Sequence, residues 1–192
     1  MYIESFLLPS CVYLLVVGVD IMLNRKRCCK NSLASRGRAS NGLNCIGIVW
    51  ARIANPRQRG EIGADLDLNT KGYESLQIRL KDIDAPGHNG IDGVYRKNGE
   101  FFIVEGKYTG SASLKSANKK TGLPRQMSDD WIRRPGEMEK ALGPGNEILA
   151  RSILRSDYKR ILAKVAPDGS VTYRLVDSQG KVIRGNAGIF NP

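Results

Sequence analysis

The hydrophobic and polar positions divide the chain into three stretches. From Phe6 to Leu23 the residues are nearly all apolar, interrupted by Pro9, Ser10 and Asp20, and Arg25, Lys26, Arg27 and Lys30 follow at once. That is about the minimum length of a membrane span. Its basic flank would hold the remainder on the cytoplasmic side, and Glu4 ahead of the run does not fit a secretory signal. The run reads equally as a buried hydrophobic helix or as a segment outside the working protein. Residues 24 to 45 are basic and rich in Ser, Asn and Gly without periodicity, which is linker composition. Residues 46–192 carry the periodic elements of a folded domain.

Within that domain Arg57 to Leu68 reads as a helix closed by Asn69 and Gly72. Tyr73 to Leu80 alternates as a strand. Ile91 to Arg96 and Phe101 to Tyr108 are strands joined across Lys97-Asn98-Gly99-Glu100, and Asn-Gly is the strongest short hairpin signal. A polar loop from Lys115 to Leu123 precedes helices at Arg125 to Ile132 and Gly145 to Ser156. Tyr158 to Ala166, Val171 to Val176 and Lys181 to Arg184 then read as a strand meander with turns at Pro167-Asp168-Gly169 and Ser178-Gln179-Gly180. The order predicts a mixed sheet with helices packed on it, of the α/β or α+β class.

The hairpin register follows by counting. With Asn98 and Gly99 at the centre of a tight turn, Lys97 opposes Glu100, Arg96 opposes Phe101, and Asp92 opposes Glu105. Directly opposed like charges destabilise a sheet, so a positive group belongs between them. Lys107, two residues beyond Glu105, lies on the same face. The unbroken apolar run Phe101 to Val104 predicts a strand buried on both sides, with the polar trio emerging at its end.

Charge sharpens this picture. Lys and Arg number 30 against 19 Asp and Glu, a net +11, which favours polyanionic partners such as nucleic acid or an acidic membrane surface. Residues 24 to 60 hold nine bases and no acid, residues 61 to 107 six bases and nine acids, and residues 108 to 192 fifteen bases and eight acids. Carboxylates gathered between basic flanks suit a divalent-metal phosphodiesterase. Cys11, Cys28, Cys29 and Cys45 lack zinc-site spacing, so the later domain can fold in a reducing compartment and its metal should be held by oxygen. Magnesium, or manganese in its place, is the natural occupant, since one or two carboxylates suffice and its remaining positions take water and phosphate. Lys107 would orient or deprotonate a water, or stabilise developing charge. His88, the single histidine, is read as a loop residue and Trp131 as core. Ser111, Ser113 and Ser116 lie with Lys115, Lys119 and Lys120 in a polar loop suited to phosphate contacts, and Arg125 adds a further base.

Asp92, twelve residues, then Glu105-Gly106-Lys107 after an apolar strand resembles the D…(D/E)XK signature of the restriction-endonuclease-like fold. GHNGIDGVYRKNGEFFIVEGKY followed by QMSDDWI more narrowly resembles the restriction-endonuclease-fold (PD-(D/E)XK) toxin domains of bacterial polymorphic toxins and secretion-system effectors, over roughly residues 55 to 165. Ile91 stands where that family often has Pro. The resemblance implies a metal held at Asp92, Glu105 and Gly106, a further acid from the preceding helix at Glu61 with Asp65 in reserve, and Gln126 on the following helix as a supporting residue. It also implies a nuclease toxin acting in the cytoplasm of a target bacterial cell, on DNA in preference to RNA, with a cognate immunity protein. Two other readings stay open: a housekeeping repair or restriction nuclease of the same fold, and a membrane-tethered nucleic-acid-binding module without catalysis. A neighbouring gene for a small acidic protein would favour the toxin, and binding that is indifferent to EDTA without cleavage in magnesium would favour the binding module.

Overall fold

The computed structural model describes residues 56–77, 90–108 and 113–192. The apolar run at 6–23, the linker, the domain boundary, His88 and Ser111 lie outside the described residues.

Helix α1 (Pro56–Thr70) opens on a proline, whose fixed φ suits the first helical position. It ends two residues later than the pattern predicts. Tyr73 N–H donates to the Leu68 carbonyl at 3.1 Å and Gly72 N–H to that of Asn69 at 3.0 Å, and Gly72 has φ +80°. These are the paired bonds of a Schellman stop, which places a glycine where a side chain would strain the backbone. Strand β1 (Glu74–Ser75) covers part of the predicted Tyr73 to Leu80, whose last three positions lie outside the described residues. Its ladder is carried on by a side chain, since Gln77 Oε1 accepts from Val94 N–H at 2.9 Å.

β2 (Gly93–Lys97) and β3 (Glu100–Tyr108) form the predicted hairpin in the predicted register, from Lys97 against Glu100 to Gly93 against Val104. Asn98 and Gly99 have φ +52° and +80°, the pair of positive values that a type I′ turn requires. The chain then crosses through α2 (Asp129–Ile132), α3 (Glu137–Leu142) and α4 (Glu147–Arg155) to β4 (Lys159–Val165), which lies parallel to β3, and returns as antiparallel β5 (Val171–Val176). Among the described residues the sheet runs β1-β2-β3-β4-β5. It is the mixed sheet flanked by helices that the element order predicts.

Alternation along β3 assigns the two faces. Ile103, together with Val94 and Leu162, joins Trp131, Ile132, Met138, Leu142 and Ile153 in one buried cluster, so α2 to α4 cover that face. Phe102 points the other way, into ring contacts with Tyr73 at 5.0 Å and Phe190 at 5.7 Å. α1 also lies on this second face, crossing β3 where Gly60 meets Gly106. β3 is thus covered on both sides, as its apolar run requires.

Two expectations are corrected, and one element is added. The helix over Arg125 to Ile132 begins only at Asp129, because Met127 adopts φ +66° and Ser128 caps the helix, its Oγ accepting from Trp131 N–H at 3.2 Å. Gln126 therefore sits on the turn before the helix. Lys181 to Arg184 is not a strand: Gly180 and Gly185, at φ +72° and +68°, bracket it and leave one bridge, Val182 to Val176. α3 was not foreseen, although Glu137–Leu142 (EMEKAL) is a run of good helix formers between two glycines. No described helix is long and apolar enough to cross a membrane.

The α1 crossing supplies a stability test. A Cβ on Gly60 would stand 2.8 Å from Tyr108 N and 2.9 Å from the Gly106 carbonyl, and a Cβ on Gly106 would stand 2.6 Å from the Gly60 carbonyl oxygen. Gly to Ala inside a helix normally stabilises by about 1 kcal/mol. Gly60→Ala should instead destabilise by about 1–3 kcal/mol, because backbone cannot yield as a side-chain end can. Urea titration of the variant checks the sign, and a gain in stability would mean that α1 stands further from β3 than described.

Candidate active site

The predicted trio comes together at the C-terminal end of β3. Register places Asp92, one residue before β2, opposite Glu105, and its carboxylate Oδ2 accepts from Gly106 N–H at 3.0 Å. Glu105 is only 2 % exposed, so its charge is almost wholly withdrawn from water. Its Oε1 accepts from the Lys107 ammonium, and from Gln126 Nε2 at 2.6 Å. Its Oε2 is buried and, among the described residues, has no hydrogen-bond donor. Burial holds the Glu105 carboxyl well above the usual carboxylate range, the Asp92 charge pushes it the same way, and Lys107 opposes both.

Gln126 is nearly buried and fixed from both sides. While its Nε2 serves Glu105, its Oε1 accepts from Lys115 N–H at 3.1 Å, and its own N–H donates to the Lys115 carbonyl at 3.0 Å. The basic loop is thereby attached to the carboxylate at one remove. Lys115, Lys119 and Lys120 are exposed on it, and Lys119 and Lys120 sit at the tip of a turn closed by Asn118 against Leu123. Asn118 Oδ1 stabilises the tip by accepting from Lys120 N–H at 2.9 Å. Arg125 is directed elsewhere, donating from Nε to the Gly180 carbonyl at 2.7 Å.

The two acids expected from α1 meet different surroundings. Glu61, half-buried, has its backbone nitrogen 2.9 Å from where a Gly106 Cβ would stand, so its peptide abuts the motif on the α1 face of the sheet. Asp92, Glu105 and Lys107 project from the other face. Asp65 is a structural anchor: its Oδ1 accepts from Ser75 Oγ at 2.6 Å, Asn69 Nδ2 at 2.9 Å, Tyr95 OH at 3.1 Å and Gln77 Nε2 at 3.3 Å. Trp131 is buried in the core, as read from the sequence.

The arrangement fits a hard divalent cation. Two carboxylates meet across the ladder, and one buried carboxylate oxygen lacks a donor. Among the described residues no three His, Cys, Asp or Glu gather to make an all-protein metal cage, but magnesium needs only one or two carboxylates. Gly106 donates its N–H to Asp92, and only its carbonyl could serve as a metal ligand. No protein family, characterised protein or solved structure matches the chain.

The raised Glu105 pKa carries a stability prediction. A folded-state value above the unfolded one means that the folded protein holds the extra proton between the two. Glu105's contribution to the stability of the metal-free protein should therefore be fully present below the ordinary carboxylate range and be lost as pH rises through the raised value. Glu105→Gln removes the charge and puts an amide donor, able to bond the Asp92 carboxylate, in place of the oxygen that lacks a donor. It should flatten that slope and add about 1–3 kcal/mol at neutral pH in EDTA. Thermal denaturation of both proteins across pH tests this, and parallel slopes would sink it.

Proposed function

We propose that the domain is a metal-dependent nuclease that hydrolyses phosphodiester bonds, DNA in preference to RNA. The observation that carries this reading is the opposed Asp92–Glu105 pair with its bare Glu105 Oε2, beside a lysine on the same face. Asp92 and Glu105 would hold magnesium or manganese, which when bound supplies an acidified water and offsets phosphate charge. Gln126 and Lys107 both bond Glu105 Oε1, so they orient the carboxylate and leave the other oxygen for the cation. Lys107 is also the general base or the fixed charge nearest the reacting phosphate. The exposed lysines of the 115–120 loop, anchored through Gln126, would take neighbouring phosphates.

The likeness of the D…EXK string to effector toxin domains supports the finer reading: a toxin delivered into a target bacterium and neutralised in its producer by an immunity protein. Membrane association through residues 6–23 belongs to the same proposal.

Incubating the full chain with plasmid, single-stranded DNA and RNA, in magnesium and in EDTA, tests the core of it. Cleavage should require the metal. Asp92→Asn keeps an acceptor for Gly106 N–H while removing one charge of the pair, so it should fold at least as stably as the parent yet cut only at background. Lys107→Ala should lose about 10²–10⁴-fold in rate, and Lys107→Arg should not restore it, since a guanidinium cannot act as a base. A folded Asp92→Asn protein that still cuts in magnesium would overturn the proposal.

A further inference from the structure

The parallel pairing of β3 with β4 creates a second row of side chains beside the carboxylates. Register sets Lys107 against Lys164, and Lys164 against Thr172 of β5. Paired residues of neighbouring strands project from the same face, and neighbouring strands are about 4.8 Å apart. The three side chains therefore form a line across the sheet, two residues beyond the line that holds Asp92, Glu105, Leu162 and Arg174. Lys164 and Thr172 are exposed at the end of a sheet that is otherwise well buried there, with Ala163 and Val165 on either side of Lys164 closed to solvent.

Lys107 has a partner in Glu105, but the Lys164 ammonium has no ion pair among the described residues. Neither its own strand β4 (KRILAKV) nor β5 (VTYRLV) contains an acid, and Glu105, the nearest acid of β3, is engaged by Lys107. Two lysines directly paired across a ladder repel each other. The same reasoning that places a cation between Asp92 and Glu105 places an anion between Lys107 and Lys164.

We propose that Lys164, with the Thr172 hydroxyl beside it, binds a backbone phosphate of a polynucleotide next to the phosphate at the Asp92–Glu105 centre. The inference rests on the nuclease reading and adds to it a substrate-binding residue that lies fifty-seven positions from Lys107 in sequence and beside it in space. An ammonium and a hydroxyl are both donors to non-bridging phosphate oxygens, and neither reads a base, so the contact sets the position of the strand and carries no sequence preference.

The test is binding of the full chain to a labelled DNA oligonucleotide in EDTA, where cleavage does not intervene, over a range of salt. Lys164→Ala should weaken binding about tenfold and lower the slope of log affinity against log salt by about one, the signature of one lost phosphate contact. Lys164→Arg should keep the slope. Thr172→Val should weaken binding less and leave the slope unchanged. Lys159→Ala, at the other end of β4 and paired with Glu100, should change neither quantity. Parental affinity and slope in Lys164→Ala, with wild-type cleavage intact, would overturn this proposal and leave the nuclease reading standing. Equal losses in Lys164→Ala and Lys159→Ala would overturn it as well, by showing only a general effect of charge. A wild-type protein that neither binds nor cuts would remove both.

Discussion

Every feature of the site depends on the register of one hairpin. Asn98 and Gly99 adopt the positive φ values of a type I′ turn, and the twist of that turn matches the twist of the strands it joins. A shift of a single residue would turn each side chain of β3 to the opposite face. Glu105 and Lys107 would then point at α1 and Gly106 would face the core, where it fills nothing. The apolar residues oppose such a shift, since Val94 and Ile103 would have to leave a shared core and Phe102 its aromatic neighbours. Hydrophobic burial on two faces and turn chemistry at one end thus agree on a register that brings two acids together against their own repulsion.

The electrostatic cost is concentrated in one side chain. A carboxylate that is almost wholly buried must be compensated, and Glu105 is compensated at one oxygen only, by Lys107 and Gln126. The surrounding structure holds the residue there regardless: β3 has ladder partners on both edges, α1 rests on Gly106, and Asp92 bonds the same peptide. With net stabilities of small domains near 5–15 kcal/mol, one uncompensated oxygen is a substantial fraction of the total. Such local cost in an otherwise consistent fold is expected where a site is arranged for a ligand.

Much of this was legible in the sequence, for local reasons. Asn-Gly between alternating strands sets its own turn, so the opposition of Asp92 and Glu105 could be counted without knowing the rest of the fold. Gly72 as the stop of α1 and the extent of β5 are local in the same sense. What could not be read depends on distant partners or on single backbone angles. The left-handed Met127 moves Gln126 off its helix, and no residue type announces that conformation as Gly does. The packing of α1 sets the Glu61 peptide against Gly106, a contact made by two glycines that lie far apart in sequence. The position of Lys164 beside Lys107 comes from parallel pairing across a long crossover, and nothing in the sequence around it states that register.

The bridging carboxamide of Gln126 has a further consequence. Its two ends are chemically opposite, and each meets its complement: the amide hydrogens meet a carboxylate and the carbonyl meets the Lys115 N–H. Rotating it by half a turn would set carbonyl against carboxylate and amide against amide, so only one orientation is satisfied. The side chain is therefore a polarised link between a buried titrating group and a solvent-facing loop. A change in the charge on Glu105 alters the pull on the Gln126 amide, and through its conjugated carbonyl alters the hydrogen bond to Lys115. The backbone amide proton of Lys115 is in effect an internal voltmeter for the carboxylate pair, readable as a nuclear magnetic resonance frequency at a position outside the Asp92, Glu105 and Lys107 trio.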